Sequence, residues 1–137
     1  MPKDIKLEAK NFFSENKFVK CPAFPKSKIY FNSKSLNHLF YESPRSARNK
    51  KEITARVSLL PRAKKLLEVM PLAQEEDRYR RDGKLYQFWA FEAVVDGRRI
   101  KVIVRQIGSG RKHFWSVIPA WRKSRFGPRN SRKDLWK

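Results

Sequence analysis

Apolar residues along this chain change period once, near Pro71. Before it they recur at helical spacing: Leu36, Leu39 and Phe40 share one face, Ile53, Val57 and Leu60 another, and Ala63, Leu66, Leu67 and Met70 a third. After residue 84 they alternate with polar residues in three runs, joined by Asp96-Gly97 and by Gly108-Ser109-Gly110. The pattern predicts an α+β fold, with N-terminal helices packed on one face of a C-terminal antiparallel β-sheet.

Ile5, Leu7, Phe12 and Phe13 suit a short amphipathic helix over residues 3–17 only in part, and Cys21-Pro22 and Phe24-Pro25 make residues 20–27 a connector. Residues 28–31 (KIYF) read as a strand, and Asn32 or Ser33 caps the helix of Leu36, which should stop near Ser43-Pro44. The next helix starts near Asn49. Pro61 either kinks it or opens a new one, and Pro71 ends the helical half. Residues 74–84 (QEEDRYRRDGK) carry mixed charge and read as a surface loop. Three segments follow: 1–27, a helical extension and connector; 28–121, the α+β domain; and 122–137, a basic tail without periodicity, expected to be disordered.

Asp-Gly between alternating runs marks a tight hairpin. With Val95 facing Arg98, the pairs Ala93/Ile100, Phe91/Val102 and Trp89/Val104 lie on the core side. The other side pairs Glu92 with Lys101, Phe88 with Arg105 and Tyr86 with Ile107, a polar, basic and aromatic face. An odd-length loop after Ile107 puts Phe114, Ser116 and Ile118 in the core and sends His113, Trp115 and Val117 to the basic side. A two-residue loop inverts this and buries His113. The hydrophobic pattern favours the odd loop.

Composition sharpens the picture of that face. The chain has 137 residues and a net charge of +20, and Asp134 alone opposes 13 Lys/Arg from Arg98 onward. At 40% hydrophobic it is too apolar for a disordered polycation, so the charge sits on a fold and a polyanion is the expected partner. No run reaches the length of a membrane span, and residues 1–10 alternate charged and apolar positions without a signal-peptide core; the expectation is a cytoplasmic protein, or one delivered to a target cell's cytoplasm, with no membrane partner. One cysteine and two histidines offer no zinc spacing, and the acidic cluster Glu75-Glu76-Asp77 lies among arginines, so neither metal nor cofactor is expected.

Tyr86, Lys101, Arg111, Lys112, Trp115 and Arg122 together suit single-stranded RNA, cations holding phosphates and rings stacking on unpaired bases. Cleavage without metal needs a base near neutral pKa, an acid for the leaving 5′-oxygen and fixed positive charge on the phosphorane. His113 fits the proton-transfer role and Arg105 the charge. His38 lies opposite the apolar stripe of its helix, where a histidine is ordinarily plain surface, and a core-facing Ser116 is ordinarily a structural donor.

KIYFNSKSLNHLF, then LLPRAKKLLE, then DGRRIKVIVRQIGSGRKHFWSVIP follow one another in an order that resembles the phage-associated branch of the barnase/EndoU/colicin/RelE-like (BECR) nucleases, over residues 28–121. These are small metal-independent ribonucleases, several of them toxins. The resemblance implies a site on the exposed sheet face, with His38 and either His113 or Ser116 as catalytic residues and a basic residue of the helical half, Arg56, contributing. If the protein is a toxin, electrostatic complementarity to its +20 charge makes an acidic antitoxin or immunity protein the expected second partner. The expectation is a toxin-like endoribonuclease that leaves a 2′,3′-cyclic phosphate; the alternative is a non-catalytic RNA- or DNA-binding protein, ribosome-associated or a packaging factor.

Overall fold

The computed structural model describes residues 2–43 and 46–119. Along the chain run α1 (Pro2–Glu15), β1 (Phe18–Lys20), β2 (Lys28–Tyr30), α2 (Ser33–Phe40), β3 (Tyr41–Ser43), β4 (Ser46–Ala47), α3 (Lys50–Ser58), α4 (Leu60–Val69), β5 (Glu75–Arg81), β6 (Lys84–Val95), β7 (Arg98–Ile107) and β8 (Lys112–Pro119). The architecture is α+β, with one six-stranded sheet in the order β1-β2-β8-β7-β6-β5 and a small ladder of β3 with β4. All pairs in the large sheet are antiparallel except β2 with β8.

The helices form where caps and apolar spacing coincide. Asn32 accepts from the Ser35 amide at the start of α2, and Asn49 accepts from the Glu52 amide at the start of α3. Pro61 opens a separate helix, in the first turn where its missing amide costs nothing. α2 ends at Phe40, three residues before the expected stop, and the chain passes into β3. Pro44, at that expected stop, lies outside the described residues, as does the tail expected over 122–137.

One core lies between the sheet and the helices. Ile100, Val102, Val104, Phe91 and Val95 are fully buried and meet Leu60, Ala63, Leu66 and Leu67 of α4, which contacts β6 and β7. The amino-terminal segment joins the same core: Phe13 of α1 packs edge-on to Phe31 and Phe114, and β1 pairs with β2.

The hairpin register agrees with the expectation pair by pair, from Val95↔Arg98 to Tyr86↔Ile107. Asp96 and Gly97 both take positive φ, 47° and 80°, which matches the twist of the strands they join. Residues 74–84 are not a loop. β5 pairs with β6 along its whole length, and Asp82-Gly83 repeats the left-handed turn of Asp96-Gly97. Each residue of β5 is exposed, so this edge strand has no buried face and no apolar alternation to announce it.

Candidate active site on the second face of the sheet

Arg105 pairs with His113, which makes the preceding loop odd in length and sets His113 on the basic face and Phe114 in the core, as expected. The next residues depart from expectation. The register shifts between Ile103 and Val104, so Trp115 is an extra residue and Ser116, not Trp115, pairs with Ile103. This β-bulge returns Val117 to the core opposite Val102 and turns Ser116 and Ile118 to the basic face, correcting the strict alternation expected for β8. A bulge adds two adjacent side chains to one face, and here they are Trp115 and Ser116.

β2 pairs with β8 only through Lys112 and His113. Beyond that point α2 and α3 contact β8 and bring helical side chains to the same face. His38 of α2 stacks on Trp115, ring centroids 3.9 Å apart and planes 14° off parallel. The Arg105 guanidinium carbon sits 3.5 Å from the same ring. Two groups this close to one ring centre exclude each other from a single side, so His38 and Arg105 cover opposite faces of the indole. His113 meets its edge at 5.9 Å.

Arginines tie the cluster together. Arg48, nearly buried, donates from Nε to the His38 carbonyl (3.0 Å), lies 3.2 Å from His38 Nε2 through Nη2 and reaches Glu52 at 3.1 Å. Arg56 bridges the same Glu52 carboxylate (3.3 Å) to the Ser116 hydroxyl (2.6 Å). Arg105 donates from Nε to His113 Nε2 at 3.0 Å. A guanidinium has no acceptor, so both imidazoles accept at Nε2 and carry their proton on Nδ1.

That arrangement holds both rings neutral. Burial, then the charges of Arg48, Arg56 and Arg105, push the His38 pKa from 6.5 down to about 4. Burial and Arg105 do the same to His113, down to about 4, against a backbone hydrogen bond with Arg111 that favours the charged form. Burial also lowers the Arg105 pKa, while Tyr86 and Tyr79 raise it.

His38, Arg105, His113, Ser116 and Trp115 are thus brought together, with Arg56. Tyr86 and Arg111 line an adjoining cleft with His113. Lys101 stands further along the face, paired with Glu75 at 2.9 Å. Lys112 points to the other side, its Nζ over Phe24 and Trp89 and bonded to Ser27. Arg122 lies outside the described residues. Sequence reasoning missed Arg48 and Glu52, although Arg48, Glu52 and Arg56 stand four residues apart, the spacing at which helical side chains meet.

Among the described residues no group of three or more His, Cys, Asp or Glu is placed to hold a metal ion, and no helix is long and apolar enough to cross a membrane. Comparison of the chain with protein-family models, curated proteins and solved structures gives no significant match.

Proposed function

We propose that this protein is a metal-independent, toxin-like endoribonuclease whose active site is the cluster around Trp115. The observation that carries the reading is the meeting of two neutral imidazoles, one from a helix and one from a strand, each facing an arginine at Nε2. In the reaction the substrate 2′-oxygen attacks the adjacent phosphorus, its proton passing to one imidazole. The P–O5′ bond breaks and the 5′-oxygen takes a proton from the other imidazole, leaving a 2′,3′-cyclic phosphate and a 5′-hydroxyl. His38 and His113 divide these transfers, Arg105 and Arg56 bind the phosphorane, and Ser116 holds Arg56.

An imidazole with a pKa of about 4 is a ready base and a poor acid at neutral pH. A phosphodiester supplies the missing influence. Burial is the larger cause of the low His113 pKa and Arg105 the next; the phosphodiester's negative charge offsets Arg105 and favours the protonated ring directly, raising its pKa toward the range in which it can donate. Substrate therefore completes the acid.

The non-catalytic reading, an RNA-binding face alone, has one observation in its favour: both Nε2 atoms and both sides of the indole are already covered. Labelled RNA incubated with the protein in EDTA separates the two. Cleavage to 2′,3′-cyclic ends, falling by at least about a hundredfold in His113→Ala or His38→Ala, supports the enzyme; salt-sensitive binding that leaves RNA intact removes it. An acidic antitoxin or immunity protein remains part of the proposal, since a surface of +20 invites such a partner.

A further inference from the structure

Beside His113 the face opens into a cleft of about 420 Å³ whose lining includes Lys34, Lys84, Tyr86, Ile107 and Arg111. Several carboxylates of the described surface meet cations: Glu75 meets Lys101, Asp96 meets Lys65, Glu76 meets Arg78, and Glu52 meets Arg48 and Arg56. None lies within 4 Å of Lys34, Lys84 or Arg111 among the described residues, and no Asp or Glu lines the cleft. Lys34 is also close enough to His113 to lower its pKa.

From this cleft an aromatic row leads outward. Tyr86 of β6 stacks on Tyr79 of β5 at 5.3 Å and 8°, and Tyr79 also stacks on Phe88 at 5.9 Å. Phe88 pairs with Arg105 and Tyr86 with Ile107, so the row shares the face of the active-site cluster. Tyr79 is 44% exposed at the outer strand, so the end of the row that packs on Tyr86 and Phe88 stays open to a ligand. With about 4.8 Å between neighbouring strands, β8 to β5 spans about 14 Å, so the row carries ligand well past one phosphate.

We infer that Lys34, Lys84, Arg111, Tyr86 and Tyr79 form a subsite for single-stranded RNA on one side of the scissile phosphate. The lysines and Arg111 hold phosphates, and an unpaired base extends the Tyr86–Tyr79 stack. A duplex keeps its bases inside and cannot use the rings, so the subsite selects single strands. This inference rests on the reading of the Trp115 cluster as the place of cleavage, but its test does not.

The test is fluorescence anisotropy of the full chain with a labelled 2′-O-methyl RNA oligomer, which lacks the nucleophile and stays intact, as a single strand and as a duplex. The parent should bind the single strand more tightly. Tyr79→Ala should weaken that binding by about fivefold or more and Tyr79→Phe should restore it, because the stack needs the ring and not the hydroxyl. Lys34→Gln with Lys84→Gln should flatten the log–log salt slope by about 1.4, the counterions of two phosphate contacts on a single strand. Lys10→Gln, an exposed site on α1, controls for the loss of a charge as such. Equal affinity for duplex and single strand, or parental binding by Tyr79→Ala, overturns the subsite. Cleavage of unmodified RNA with KM unchanged in Tyr79→Ala also overturns it while the activity stands; no cleavage, with these binding differences intact, removes the activity while the subsite stands.

Discussion

His113 is 4% exposed, and what covers it is chemistry of one sign: Arg105 at Nε2 and Trp115 at its edge, with Lys34 near. Its pKa in the fold lies below that of the unfolded chain, so between pH 6.5 and 4 the unfolded state binds the extra proton and folding stability falls as pH is lowered. The loss is bounded at about 3 kcal/mol for this buried ring, with His38 adding in the same direction. Urea unfolding across that window, compared with His113→Gln, measures it: the variant should lose less stability on acidification. A second residue-scale expectation concerns Ser116→Ala, which removes the 2.6 Å bond from the Arg56 guanidinium. It should cost about 1–3 kcal/mol in denaturant unfolding, because a mostly buried charge loses a partner. His113 beside Arg105 was legible from period-two counting along the hairpin. Glu52 and Arg48 were not, because on a short charged helix the ligand of a buried arginine reads the same as a solvated carboxylate.

A whole element turns on the bulge at Trp115. Deleting that residue removes the bulge and leaves a regular ladder in which Phe114 stays opposite Val104, Ser116 opposite Ile103 and Val117 opposite Val102, so every facing is kept and only the indole is lost. The deletion should give a protein that still unfolds cooperatively in urea but cleaves RNA far more slowly, because His38 and Arg105 lose the ring that positions them, whereas Trp115→Phe keeps a ring and the bulge. Bulges leave no mark in a hydrophobic pattern; here Trp115-Ser116-Val117-Ile118 suits either facing, so only pairing partners decide it. β5 was missed for the opposite reason. Its residues are exposed on both faces, leaving Asp82-Gly83, the same signal that located the second hairpin, as its one trace. At Gly97, with φ at +80° and open space where a β-carbon would stand, Gly97→Ala meets no clash and should still cost about 1 kcal/mol through backbone strain alone.

At the scale of the molecule, α4 and the phenylalanines of α1 occupy one side of the sheet, and the cleft lined by Lys34, Lys84 and Arg111 opens on the other. The α+β layering was readable because the helices all precede the long strands β6, β7 and β8 in the sequence. The parallel pairing of β2 with β8 was not, since it joins residues more than eighty apart through two contacts. A charge of +20 repels itself, so raising salt from low to physiological should raise Tm while weakening RNA binding. Thermal melts and anisotropy run on one salt series should move in opposite directions.

Trp115 also makes the site its own optical probe. An indole held between an imidazole and a guanidinium emits according to the charge pressed on its ring. Arg105 cannot turn fully to a phosphate without leaving one side of that ring, so ligand entry is written into the protein's intrinsic emission. Trp89, Trp121 and Trp136 emit as background, a Trp115→Phe chain supplies the blank, and the opening of the site can be timed by stopped flow with no label attached.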